Sequence, residues 1–332
     1  MTRKIAINGF GRIGRQVFRI LEGAQDLEIV AINDLTPPDM SAHLLKYDSV
    51  HGKFGAEVEV VEGGFQVNGR FVQVTAERDP SQLKWGELGV EVVLECTGVF
   101  RTKEKAQAHI DAGAKWVVIS APGKGVDLTV VMGVNDELLN PEEHRVVSNG
   151  SCTTNCLAPV VKVIDQEFGV EAGLMTTIHS YTNDQRLLDL PHGDKRRARA
   201  AAVSMIPSTT GAAAAIGLVL PHLAGKLDGM AVRVPTPNVS LVDVVLTTSK
   251  PVTAEAANAA LKAASQGALN GVLGFEEDEL VSCDFIGDPR SSIVDAANTK
   301  AMGTNTLKIL SWYDNEWGFS NRMIDLTRKL LS

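Results

Sequence analysis

The chain has 332 residues, 44% hydrophobic and 22% charged, a folded composition with room for two domains of ordinary size. Its net charge of −8 gives no reason to expect nucleic acid as a partner. Four cysteines are too few for a disulfide framework, no signal-peptide apolar region precedes the first strand-like segment, and the longest apolar stretch, Ala212–Leu220, is far short of a membrane span. A soluble, cytoplasmic protein without membrane contact is expected.

Lys4–Asn8 reads as a short buried strand, followed directly by Gly9-Phe10-Gly11-Arg12-Ile13-Gly14, a G-x-G-x-x-G. Arg15–Leu21 carries apolar residues at helical spacing, and Glu28–Asn33 makes a second strand ending in Asp34, twenty positions past the third glycine. Alone, the glycines mark only a turn. With strand, helix, second strand and acid in place they form the context of a dinucleotide site. Gly9 allows the turn, Gly11 lets backbone N–H groups approach a pyrophosphate, and Gly14 allows close packing of helix on sheet. Asp34 accepts hydrogen bonds from ribose hydroxyls and repels a 2′-phosphate, so NAD is expected rather than NADP.

Leu44–Phe54 is mixed in character, and Val58–Val74 reads as antiparallel strands turning at Gly63-Gly64 and Asn68-Gly69. Buried strands are expected at Val92–Glu95 and Trp116–Ser120, with a helix over Lys103–Ala112 between them. Leu128–Met132 and Val146-Val147 complete an α/β arrangement, a Rossmann-type doubly wound parallel sheet forming an NAD-binding domain over about residues 1–150. Beyond it, alternating segments such as Val239–Leu246 predict an α+β catalytic domain with a mainly antiparallel sheet, to about residue 315. Helices are expected over Thr210–Leu220, Ala254–Ser265 and Asn315–Leu331, the last (about 316–332) packing back on the NAD-binding domain. No Pro/Gly/Ser linker marks the boundary. The join is the turn Ser148-Asn149-Gly150-Ser151-Cys152, which puts Cys152 between the domains, facing the nicotinamide end of the cofactor.

Cys152 stands where a small-residue turn leads into a helix-like segment, Leu157–Ile164. Unpaired N–H groups and the positive helix end favour a thiolate there, so a lowered pKa and a nucleophile are expected. The alternative is a small buried hydrophobe. His179 closes the strand Leu174–Ile178. It reads either as a satisfied structural histidine or as the near-neutral base that thiol chemistry beside NAD requires. Lys195-Arg196-Arg197-Ala198-Arg199 is a solvated basic face or, better, the partner of a compact anion such as phosphate. Arg233, alone inside an apolar strand, points to an anionic ligand, since a buried charge is costly without a partner. Ser208-Thr209-Thr210-Gly211-Ala212 is expected to open a helix and offer hydroxyls and N–H groups to an anion. Cys156 lacks further ligands at zinc spacing, so no metal is expected.

The runs Ser151–Cys156, Asn8–Arg15, His179–Gln185, Arg233–Pro237 and Trp312–Gly318 resemble the signatures of phosphorylating glyceraldehyde-3-phosphate dehydrogenases, in the right order over essentially the whole chain. The resemblance implies attack of Cys152 on the aldehyde of glyceraldehyde 3-phosphate, with His179 taking the thiol proton and then easing hydride departure to NAD. Inorganic phosphate would then displace the thioester to give 1,3-bisphosphoglycerate. It implies that Thr182 and Arg233 hold the substrate phosphate, and that Ser151, Thr153, Arg197, Thr210 and Gly211 hold the attacking phosphate. Gly9, Gly11, Arg12, Ile13, Gly14, Asp34, Arg78 and Ser120 would contact the cofactor, with Asn315 orienting the nicotinamide carboxamide. Leu190-Pro191 matches NAD-using members, and the loop from Tyr181 to about Ser204 resembles a subunit-contact loop, implying a homotetramer.

Three positions depart from the family pattern: Gly150 replaces the usual alanine, Lys195 a common leucine, and Phe319 a common tyrosine. None removes a catalytic group. The competing readings are an erythrose-4-phosphate dehydrogenase and a catalytically silent NAD-binding sensor or scaffold. Thr182 with Ser208–Gly211 favours the triose enzyme over the first, and the presence of every catalytic group disfavours the second.

Overall fold

The computed structural model describes residues 2–332, which divide into two compact units. The first takes the chain up to Val130, Asp136–Gly150 and Ser320–Ser332; the second takes Val131–Asn135 and Ser151–Phe319.

The first unit is built on a nine-stranded sheet. Seven strands run parallel, in the spatial order Leu128–Thr129, Val146–Ser148, Trp116–Ile119, Val92–Glu95, Arg3–Asn8, Leu27–Asn33 and Arg70–Thr75. Gly64–Val67 and Val58–Val61 extend the edge as antiparallel strands, turning at Gly63 and at Asn68-Gly69 as the glycines predict. Ile5, Ala6, Ile7, Val92, Val93 and Leu94 are all fully buried, as expected of parallel strands covered on both faces. The mixed segment resolves into a helix, Pro38–Lys46, and a small ribbon, Tyr47–Asp48 with Gly52–Lys53. The strand expected over Leu128–Met132 keeps only its first two residues, and Val131 belongs to the second unit. Within the first unit the last helix is tied down by Arg328 to Asp26 at 2.6 Å and Lys329 to Asp136 at 2.5 Å.

Strand order reverses at Arg3–Asn8. The chain moves to one side through Leu27–Asn33 and returns to the other through Val92–Glu95. Such a switch leaves a crevice at the carboxyl ends of the strands, where doubly wound folds bind ligands.

The second unit has a mainly antiparallel sheet in the order Ile206–Thr209, Leu227–Val234, Val170–Ser180, Ser240–Thr248, Thr306–Tyr313, Ser292–Asp295 and Leu273–Glu276. The helix Cys152–Phe168 covers it, burying Cys156, Leu157, Val160, Val161 and Ile164 against Val242, Val244, Leu307 and Ile309. Two pairings are parallel: Leu273–Glu276 with Ser292–Asp295 at one edge, and Val170–Ser180 with Leu227–Val234, whose register sets His179 opposite Arg233. Opposed residues project from the same face, so pairing alone brings these two side chains together.

The helix expected over Thr210–Leu220 is not formed as such. Ile206–Thr209 is an edge strand, residues 210–215 turn, and only Ile216–Val219 is helical. Ala212, Ala213 and Ile216 are buried in the core with the Cys152 helix, and packing overrides the helix propensity of the alanine run.

Candidate active site

In the first unit the crevice at the strand switch is a cleft of about 390 Å³, lined among others by Gly9, Gly11, Asp34, Arg78 and Thr97. The three glycines have distinct reasons. A Cβ on Gly9, whose φ is +94°, would lie 2.6 Å from the backbone nitrogen of Thr97, and one on Gly14 would lie 2.3 Å from the Gly9 carbonyl oxygen. A Cβ on Gly11 meets nothing within 4 Å, so the bare backbone there is open to a ligand. Asp34 is aimed by two backbone donors, Phe10 N–H at 2.6 Å and Thr36 N–H at 2.8 Å. Together these suit a nucleotide whose pyrophosphate approaches Gly11 and whose ribose meets the carboxylate. Of the remaining expected cofactor contacts, Arg12 pairs with Asp48 at 2.5 Å, Ile13 and Gly14 lie in the helix Arg12–Leu21, and the Ser120 side chain bonds Cys96. None of these four lines the cleft.

A buried polar chain beneath that cleft escapes sequence reasoning. Asn33 Nδ2 donates to Asn8 Oδ1 at 2.7 Å, and Asn8 Nδ2 to Glu95 Oε2 at 2.6 Å. Trp85 Nε1–H, a donor only, donates a hydrogen bond to His109 Nδ1 at 3.1 Å, so His109 Nε2 carries a hydrogen and donates to Glu95 Oε2 at 3.0 Å. Thr97, through its N–H and its hydroxyl, takes the other carboxylate oxygen. The carboxylate is therefore buried but fully bonded, and it anchors the strand ends that form the cleft floor.

The second unit holds the thiol site. Ser151 is the N-cap of the helix Cys152–Phe168, its Oγ accepting Thr154 N–H at 3.0 Å. Cys152 is thus the first helical residue, and its Sγ lies 3.5 Å from His179 Nε2. His179 Nδ1 is 2.6 Å from the Ser180 carbonyl oxygen, which only accepts, so Nδ1 carries the hydrogen and Nε2 presents a lone pair to the sulfur. Arg233 Nη1 donates to the same carbonyl at 3.2 Å and to Thr182 Oγ1 at 3.3 Å, while its buried Nε has no partner.

Electrostatics place the pair in its neutral form. Burial, then the Arg233 charge, lowers His179 to about 3, so the imidazole is free to accept a proton. Burial pushes the Cys152 thiol up, against Arg233 and the N–H groups of Thr153 and Cys152. This corrects the expectation of a thiol lowered by the helix start, because desolvation of the charged form outweighs the dipole. The proton must therefore pass to His179 as sulfur attacks.

The expected phosphate residues are also placed. Arg197 Nε donates to Ser208 Oγ at 2.7 Å, its Nη2 to Thr209 O at 3.2 Å, and its Nη1 pairs with Asp184. Thr210 Oγ1 accepts Ala212 N–H at 3.2 Å, and Gly211 has open space around it. Thr153 is buried, its hydroxyl 2.8 Å from Tyr313 OH. Tyr313 carries no expected role, yet its hydroxyl also meets Thr177 Oγ1 at 2.8 Å and its ring packs edge-on to His179, centroids 6.0 Å apart. It pins the first turn of the cysteine helix against the histidine strand. The aromatic in Trp312–Gly318 was its only sequence signal.

Comparison with known proteins agrees with both halves. Residues 3–103 match the family described as glyceraldehyde 3-phosphate dehydrogenase, NAD binding domain, and residues 151–315 match the C-terminal domain of the same family. A glyceraldehyde-3-phosphate dehydrogenase from Geobacillus stearothermophilus is 57% identical over 332 residues, covering 100% of this chain and 99% of that protein. Glyceraldehyde-3-phosphate dehydrogenase 1 of Bacillus cereus is 58% identical over 99% of this chain and 98% of its own. The plasmid-encoded one of Cupriavidus necator is also 58% identical, over 98% and 97%. With both domains matched and relatives spanning its whole length, the chain belongs to the glyceraldehyde-3-phosphate dehydrogenase family.

Proposed function

We propose that the chain catalyses the NAD-dependent, phosphorylating oxidation of D-glyceraldehyde 3-phosphate to 1,3-bisphosphoglycerate, the glycolytic reaction, through a thioester on Cys152. The observation that carries this reading is the Cys152 Sγ to His179 Nε2 contact of 3.5 Å, with the Nδ1 hydrogen committed to Ser180. Sulfur attacks the aldehyde carbon as its proton passes to Nε2, and Nε2 returns that proton to the alkoxide oxygen, giving a hemithioacetal and a neutral imidazole. Bound NAD supplies the hydride acceptor for the oxidation. Loss of hydride from that carbon leaves the thioester, with His179 taking the hydroxyl proton. A phosphate oxygen then attacks the acyl carbon, the C–S bond breaks, and the sulfur leaves as thiolate to be reprotonated.

Two anion positions serve the two phosphates. Arg233, charged and with a buried Nε lacking a partner, sits beside Thr182 and suits the substrate phosphate. Arg197, braced by Asp184 and Ser208, stands with Thr210, Gly211 and Ser151 for the attacking phosphate. Thr153 contributes through its position at the helix start, its hydroxyl being held by Tyr313. Arg12, Ile13, Gly14 and Ser120 support the nucleotide site from behind its lining residues, and Asn315 serves the nicotinamide. The assembly is a cytoplasmic homotetramer, with the apolar side chains of the loop from Tyr181 to about Ser204 as subunit contacts.

NADH formation from glyceraldehyde 3-phosphate, with and without inorganic phosphate, tests the reading. Sustained turnover should require phosphate, with about one NADH per site in its absence, and Cys152→Ala should abolish both. Turnover indifferent to phosphate would sink the acyl-transfer step. Activity with erythrose 4-phosphate alone would replace the substrate.

A further inference from the structure

The loop before the strand Ser240–Thr248 carries two costly features. Val239, β-branched, has φ of +67°, a region such side chains avoid. Asn238 beside it is 1% exposed, and neither its amide oxygen nor its nitrogen has a hydrogen-bond partner among the described residues. The strain is held by packing, since Val239 is buried in a cluster with Phe285 and Ile293.

What this backbone achieves is seen one residue on. The Val239 carbonyl accepts from Ser180 Oγ at 2.6 Å. Ser240 Oγ accepts Ser180 N–H at 3.0 Å and stands 2.8 Å from Asn315 Oδ1. An N–H only donates, so the Ser240 hydroxyl proton is directed at Asn315. With its oxygen so occupied, Asn315 can turn only its NH₂ outward, and no protein group among the described residues takes that donor. An outward amide N–H matches the carbonyl oxygen of a primary carboxamide, the group that nicotinamide carries.

We propose that Ser240 is a positioning residue, held by the strained Val239 backbone, that fixes the Asn315 amide as a donor to the nicotinamide carboxamide. The same serine ties Asn315 to Ser180, whose carbonyl sets the tautomer of His179. The proposal rests on the reading above, in which Asn315 serves the nicotinamide.

Calorimetric binding of NAD and of ADP-ribose, which lacks the nicotinamide, tests it without turnover. Ser240→Ala should weaken NAD about tenfold, the loss of one directed hydrogen bond, and leave ADP-ribose within about twofold. Ser240→Ala combined with Asn315→Ala should bind NAD no worse than Asn315→Ala alone, because the two residues act as one unit. Ser240→Thr, which keeps the hydroxyl, should recover the lost selectivity. ADP-ribose binding reports folding; if the alanine variant fails it, the near-isosteric Ser240→Cys takes its place with the same expectation. Unchanged NAD affinity in the variant, or equal loss for both ligands, overturns the proposal and leaves the role of Asn315 standing. A wild-type protein that binds NAD no tighter than ADP-ribose removes Asn315 from the nicotinamide, and the proposal with it.

Discussion

At the scale of single residues, Arg233 exerts two opposite effects through one charge. It stabilises a Cys152 thiolate, and it disfavours a protonated His179, whose Nδ1 lies 3.2 Å from Nη1. The arrangement keeps the base neutral while making the nucleophile less costly to ionise. Replacing Arg233 with methionine removes both effects. The thiol, already raised by burial, should rise further, and His179 should climb from about 3 toward its ordinary 6.5. Alkylation of the cofactor-free protein by iodoacetamide, followed between about pH 5 and 10, reads this directly. The midpoint should move to higher pH, with the rate at pH 8 falling by roughly three- to tenfold. A midpoint that moved to lower pH would mean that Arg233 does not govern the thiol.

At the scale of elements, the three glycines of the fingerprint separate packing from binding. Gly14→Ala drives a methyl to 2.3 Å from the Gly9 carbonyl, so helix and strand must part, and the variant should lose about 2 kcal/mol or more of stability. Gly11→Ala meets only open space, so thermal unfolding should stay within a few degrees of wild type while NAD affinity falls at least tenfold. Equal loss of stability in both variants would remove the distinction. This division was legible in the sequence, because glycine spacing between two apolar strands has few other uses. The Cys152 helix and the antiparallel character of the second half were legible for the same reason, local pattern. What was hidden depends on tertiary placement. Nothing near Asn8 announces Glu95, 87 residues away, and only the strand order brings them to 2.6 Å. The alanine run after Thr210 was misread because its small side chains fill space against a neighbouring helix. The direction of the Cys152 pKa was misread because burial, unlike the dipole, has no local signature. Gly150, a departure from the family pattern, has φ of +65°, a conformation that favours glycine over alanine.

For the whole molecule, the loop that carries Arg197 also carries a set of outward apolar side chains. Leu187, Leu188, Val203 and Met205 are each more than 70% exposed in the single chain. They are not on a slack segment. Arg186 Nη2 donates to Pro191 O at 3.0 Å, Leu190 N–H to Ala198 O at 3.0 Å, and Ala201 N–H to Arg186 O at 2.9 Å. Arg199 pairs with Asp189 at 3.0 Å across the same loop. A frame bonded to itself presents these leucines at little further entropic cost, which is what a subunit interface needs and what solvent penalises. For the homotetramer proposed above, sedimentation at micromolar concentration should give a mass four times the 35.5 kDa of the chain. Leu188→Lys, a substitution at a side chain 75% exposed in the single chain, should leave the fold of the isolated chain nearly untouched yet shift the mass toward dimers or monomers. Because Arg197 is carried by this loop and braced between Asp184 of the loop and Ser208 of the edge strand Ile206–Thr209, the dissociated variant should also require more phosphate for half-maximal turnover, by severalfold. A wild-type protein that sediments as one chain would show that the leucines are not buried between copies, and a variant with lowered mass but unchanged phosphate dependence would show that the loop holds Arg197 unaided.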